Sequence, residues 1–106
     1  MNIDLLKRLC EMPGIPGREE RVRSLIESEI GKLFDSVETD AMGSLICRRK
    51  ARTASGTVKK GDAKTLMLLC HMDEIGFYVS SIDEKGFLWL SPAGGVDPRD
   101  LFLTRV

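Results

Sequence analysis

Neither sign of charge prevails in this sequence: Lys and Arg together number 16, and so do Asp and Glu. With both signs interspersed there is no basic face for nucleic acid and no polybasic patch for an anionic membrane. Long apolar runs are missing too. No stretch approaches the ~20 residues of a membrane-spanning helix, and the opening MNIDLLKRLCEM places charges where a signal peptide would be apolar. These absences suit a soluble, cytoplasmic protein. The three cysteines, Cys10, Cys47 and Cys70, are odd in number and form no C-x-x-C pair, which favours reduced thiols over a disulfide framework. At 106 residues the chain has room for one small domain with a modest core, expected to bury about 65% of the surface its unfolded form exposes. Histidine is scarcest of the potential ligands. There is one, His71.

His71 follows directly on Leu66-Met67-Leu68-Leu69-Cys70 and precedes Asp73 and Glu74. A short, unbroken apolar run of this kind reads as a strand buried on both faces of a sheet covered by helices. His71 then leaves the core at the strand's carboxyl end, the edge where open α/β sheets usually hold ligands and metals. Residues two apart on an extended segment point the same way, so the Asp73 carboxylate can approach the imidazole. A neutral imidazole that binds zinc through one nitrogen commonly donates the other N–H to a carboxylate or carbonyl. The plainer reading of the same pattern is a half-buried histidine whose aspartate partner closes a strand, because one histidine and two carboxylates fall short of a zinc ligand set. Cys70 would point to the opposite face from His71 and is read as a buried core thiol rather than a ligand or nucleophile.

The rest of the chain arranges itself around this run. A first helix opens at Asn2, a good cap, and carries Leu5, Leu6, Leu9, Cys10 and Met12 on one stripe until Pro13 ends it. Pro13-Gly14-Ile15-Pro16-Gly17 is a turn-rich joint. No G-K-[ST] follows it, so a phosphate loop is the weaker reading. A second helix spans about Arg18 to Leu33, with Val22, Leu25, Ile26, Ile30 and Leu33 on its sheet-facing side. Glu19 and Glu20 sit in its first turn, where carboxylates complement the helix dipole; as consecutive helical residues they diverge too far to act as a catalytic pair. Short strands are expected at Ser36–Thr39 and Ser44–Arg48 around the turn Asp40-Ala41-Met42-Gly43, then an exposed basic loop over residues 48–64 without the aromatic residues of a nucleic-acid surface. A hairpin pairs Phe77–Ile82 with Phe87–Leu90 across Asp83-Glu84-Lys85-Gly86, and Tyr78 and Trp89 are read as packing residues. Ser91–Pro98 forms a second joint. Leu101–Val106 looks like the start of another strand, which with nothing to cover it would expose an unpaired edge. The sequence therefore reads as a piece of a longer protein, or as one that another chain covers.

The run HMDEIGF, with PAGGVDPR after the hairpin, PGIPGREERVR near the start and TDAMGSLI between them, resembles the M42 family of metallo-aminopeptidases. Any one of these motifs is weak alone, but together they cover nearly all of the chain. The resemblance implies an α/β fold, with two N-terminal helices packed on a mixed sheet. It implies a hydrolase with two divalent metals, usually zinc or cobalt, that removes N-terminal residues from peptides and works as a homo-oligomer. In that family a β-rich dimerisation domain is inserted just after the first metal-binding histidine. Residues 1–72 would then be the first part of the catalytic domain and residues 73–106 the start of the inserted one. The resemblance makes His71 a metal ligand and Asp73 the aspartate that orients it. The family's remaining ligands and its catalytic glutamate would lie beyond Val106, so the chain alone is expected to be inactive. The competing expectation is a non-catalytic module that associates through exposed strand edges. An endoglucanase label also used in this family would require two acidic residues flanking a sugar, and nothing in the sequence marks such a pair.

Overall fold

The computed structural model describes residues 2–53, 56–57, 61 and 63–102. Helix α1, Ile3–Glu11, starts where Asn2 predicts it: the Asn2 side chain accepts from the Leu5 amide at 3.1 Å. Helix α2 runs Glu20–Ile30 and tightens into a 3₁₀ turn over Gly31–Leu33, so the expected single helix to Leu33 is two elements. Arg8 on α1 pairs with Glu29 on α2 at 2.7 Å.

Among the described residues six strands follow: β1 Ser36–Thr39, β2 Leu45–Arg48, β3 Arg52–Thr53, β4 Gly56–Thr57, β5 Gly76–Ile82 and β6 Leu88–Ala93. They pair antiparallel in sequence order, β1 with β2, β3 with β4 and β5 with β6. The two longer hairpins close in the same way. Asp40 Oδ1 accepts from the Met42 and Ser44 amides, and Asp83 Oδ1 from the Lys85 and Phe87 amides. In each turn a glycine takes a left-handed conformation, Gly43 at φ +87° and Gly86 at φ +85°. The β3–β4 pair lies inside the stretch expected to be plain loop. A chain-terminal strand was expected over Leu101–Val106, but Pro98–Leu101 is a 3₁₀ turn capped by Asp97. Residues 103–106 lie outside the described residues.

A bulge between Val79 and Ser81 sets the faces of the last hairpin. Val79 stands opposite Leu90 and Phe77 opposite Pro92; beyond the bulge Ile82 stands opposite Leu88. Without the extra residue Ile82 would fall on the other face from Val79, so the bulge gathers these six apolar residues on one side and leaves Tyr78, Ser81 and Trp89 on the other.

The α/β class is as expected, but the mixed sheet is not assembled: among the described residues there are three separate two-stranded pairs. The run Leu66–Leu69, expected as a strand buried on both faces, carries no regular ladder and is 73–85% exposed. Cys70, expected to be a core thiol, is exposed as well. The reason is physical: a two-faced strand is buried only when it has neighbours on both edges and layers above and below, and these residues supply neither. Among the described residues the buried apolar side chains are Val22 and Leu25 of α2. The chain exposes 9607 Å², where a compact monomer of this mass exposes about 5,900 Å². It buries about 44% of the area expected for its unfolded form rather than about 65%. Its radius of gyration of 19.5 Å compares with about 13 Å for a compact domain.

Candidate functional site

His71 and Asp73 come together as the sequence predicts, although on an irregular segment rather than at the end of a strand. The imidazole Nδ1 lies 3.0 Å from Asp73 Oδ1 and 2.9 Å from the Asp73 backbone carbonyl oxygen. That carbonyl oxygen can only accept, and so can an ionised carboxylate. The proton therefore belongs on Nδ1, which leaves the Nε2 lone pair free. The His71 side chain is 85% exposed, so this lone pair is open to an incoming group. The second acceptor, the backbone carbonyl, was not legible from the H-x-D spacing.

The peptide unit that supplies this carbonyl is itself held from the far side. Its N–H, that of Glu74, donates to the Gly14 carbonyl at 2.8 Å. Gly14 is buried in the Pro13–Gly17 joint, and a Cβ there would stand 3.0 Å from Val22 Cγ1. Gly76 similarly lets β5 approach the joint, since a Cβ on it would meet Ile15 Cδ1 at 3.2 Å. The Tyr78 hydroxyl donates to the Pro16 carbonyl at 2.6 Å. Tyr78 was read as a packing residue; its hydroxyl ties the hairpin to the joint. Helix α2 begins at Glu20 rather than Arg18, so Glu20 alone of the two glutamates lies in its first turn; Glu19 precedes the helix, and its side chain accepts from the Gly17 amide in the joint without capping a helix amide. Between the joint, the start of α2 and the start of β5 lies an open cleft of about 480 Å³, bordered by Arg18, Arg21 and Glu74, which neither His71 nor Asp73 lines.

In the PAGGVDPR segment, the Arg99 guanidinium folds back on Asp97, with Nη2 2.6 Å from Oδ2, while the Arg99 amide donates to Oδ1 at 3.0 Å. The side-chain bond and then the amide hold the Asp97 carboxyl below the usual range. This pair closes the turn after the hairpin. Among the described residues no group of three or more His, Cys, Asp and Glu side chains is placed to hold a metal. Of the two His71 ring nitrogens, Nε2 is the one that Asp73 does not engage.

Comparison with known proteins leads to aminopeptidases. The lysyl aminopeptidase of Pyrococcus furiosus is 33% identical over 97% of this chain and 27% of its own. An aminopeptidase from the archaeon Desulfurococcus kamchatkensis superposes with a TM-score of 0.80 at 32% identity, over 93% of this chain and 25% of its own. A Thermotoga maritima protein described as an endoglucanase superposes with a TM-score of 0.73 at 42% identity, over 91% and 28%. The M42 glutamyl aminopeptidase family profile matches residues 54–106, half of the chain, and the chain belongs to that family. It spans about a quarter of the length of these relatives.

Proposed function

We propose that these residues form the N-terminal portion of a two-metal aminopeptidase that removes N-terminal residues from peptides. In this reading residues 1–72 begin the catalytic domain and residues 73–106 begin the β-rich dimerisation domain. His71 binds one metal through Nε2, and Asp73 orients the ring from the opposite side. The observation that carries this is the pair of acceptors on His71 Nδ1, which turns a bare Nε2 outward on an exposed ring. A pair of divalent ions, zinc or cobalt, would lower the pKa of a bound water and polarise the scissile carbonyl. A catalytic zinc takes about three protein ligands. With one good ligand position, the chain by itself does not cleave peptides. The neutral charge balance and reduced-thiol pattern suit a cytoplasmic location, and among the described residues no helix is long and apolar enough to cross a membrane. A homo-oligomer is the expected working state.

A cobalt or zinc titration followed at the His71 ring nitrogens tests the ligand assignment. Binding at Nε2 that His71→Ala abolishes is expected, with no cleavage of leucyl- or glutamyl-anilides by the 106-residue chain. Metal-dependent cleavage by the chain alone would overturn the inactivity, and an Nε2 unmoved by metal would overturn the ligand role. A second reading, a non-catalytic association module, is favoured by the exposed run Leu66–Leu69. It predicts self-association that His71→Ala leaves untouched.

A further inference from the structure

We propose that Gly14, in the Pro13–Gly17 joint, is a positioning residue for the His71 imidazole, acting through the single peptide unit between Asp73 and Glu74. The inference rests on the reading of His71 as a metal ligand and names an element of that site which carries no ligating side chain. A peptide unit is planar and turns as one body. On one edge the Glu74 N–H donates to the Gly14 carbonyl at 2.8 Å; on the other, the Asp73 carbonyl accepts from His71 Nδ1 at 2.9 Å. Fixing the N–H therefore fixes the direction of the carbonyl that holds the ring. The two hydrogen bonds share one amide, so donation at its N–H strengthens its oxygen as an acceptor. The Asp73 carboxylate adds a second contact to the same nitrogen, but a carboxylate on rotatable bonds holds a direction less firmly than a peptide plane clamped at both edges.

The joint is built to present the Gly14 carbonyl. A side chain at position 14 would press on Val22, which is itself buried, and would come within 3.5 Å of the Met72 carbonyl oxygen in the segment beside His71. At the other end of the joint the Tyr78 hydroxyl holds the Pro16 carbonyl, so the joint is tied to the segment after His71 at two points. Gly76 has no Cβ to wedge the two apart. If the joint only docked the hairpin, loosening it would lower stability and leave the imidazole as it was. If it positions the ring, loosening it redistributes the proton between the two ring nitrogens.

The test uses the 15N-labelled 106-residue chain without metal at about pH 8.5, where an ordinary imidazole is neutral, and reads both ring nitrogens by long-range 1H–15N correlation. The unmodified chain is expected to show one tautomer, protonated at Nδ1. In Gly14→Ala, exchange of the Glu74 amide should quicken about fivefold and the ring should become a mixture of tautomers. Adding Val22→Ala, which removes the crowding methyl, should restore both. Tyr78→Phe deletes only the hydroxyl and should move both readouts in the same direction; it decides the matter if Gly14→Ala loses its dispersed spectrum. A Glu74 amide that quickens while the ring stays in one tautomer would overturn the proposal. So would a Glu74 amide that neither variant moves, because Gly14 would then not be holding that N–H. The metal reading fails separately: a ring whose tautomers respond as expected but whose Nε2 is blind to cobalt leaves the positioning role standing and removes the ligand role.

Discussion

Gly14 and Val22 should be energetically coupled, and the coupling can be worked out from their geometry. Val22→Ala removes two methyl groups from a side chain that is 4% exposed; at about 0.8 kcal/mol per buried methylene equivalent, plus a small cavity term, the loss is about 1.5–2.5 kcal/mol. Gly14→Ala places a methyl 3.0 Å from Val22 Cγ1 and 3.4 Å from its Cβ. Overpacking of this kind costs about 1–3 kcal/mol. In the double variant Cγ1 is gone, and the nearest neighbours of the new methyl are the Cβ at 3.4 Å and the Met72 carbonyl oxygen at 3.5 Å. Both are close to ordinary contact distances. Gly14 is not among the glycines with positive φ, so alanine there also gains about 0.4–1 kcal/mol by restricting the unfolded chain. The loss in the double variant should therefore fall short of the sum of the two single losses by about 1–2 kcal/mol. Urea denaturation of the four proteins, followed by the far-ultraviolet circular dichroism of α2, closes the cycle. Losses that add to within about 0.5 kcal/mol would refute the reasoning, because contacting residues should not behave as independent sites.

Acid should open the first long hairpin at its turn. The amides of Ser44 and Met42 hold the Asp40 carboxyl below its usual range, so the turn's contribution is full above about pH 3.8 and is lost as pH falls through the lower folded value; amide exchange at Met42 and Ser44 should quicken there, and Asp40→Asn should blunt the effect. Arg8→Ala should cost about 0.2–1 kcal/mol, since Arg8 and Glu29 are both partly exposed, and the difference from the unmodified chain should shrink in 1 M salt. Leu68→Asp places a charge on a residue that is 85% exposed; it should leave the circular dichroism unchanged and lower the sedimentation coefficient if the run drives association, whereas an unchanged coefficient in an associating chain would move the contact elsewhere.

What was legible in the sequence was what a few neighbouring residues decide among themselves. Asn2 marks the start of α1 because its side chain reaches an amide three residues on. The two Asp-x-x-Gly turns close their hairpins with bonds spanning four residues or fewer. His71 and Asp73 meet because they are two apart. What was not legible depends on distant partners or on backbone. The apolar pattern of Leu66–Cys70 predicts a strand buried on both faces, but the run is exposed and without a ladder, because burial needs layers that these residues do not supply. The bulge in the last hairpin leaves no residue signature beyond two serines, and Tyr78 looks like any aromatic of a hairpin until its hydroxyl is seen on Pro16. The Gly14 carbonyl is hidden most completely, because every residue has one.

These two kinds of feature meet at His71, and under the proposed ligand role that bears on when a metal would be held well. On its carboxyl side the histidine is secured by Asp73, by the Glu74 amide on Gly14 and by the hairpin tied to the joint. On its amino side runs Leu66–Cys70, exposed and without a ladder. A ligand fixed at one end is oriented by its own hydrogen bonds but still swings with the segment that precedes it, and each freedom it keeps is an entropy that metal binding must remove. Covering and pairing that run would remove the same freedom in advance. Metal affinity at Nε2 should thus rise when the apolar run is buried, and by linkage a metal at His71 should favour the covered state by the same factor. Under the proposed ligand role, the exposed run and the histidine beside it would be parts of one device, in which covering of the run and readiness of the ligand come together.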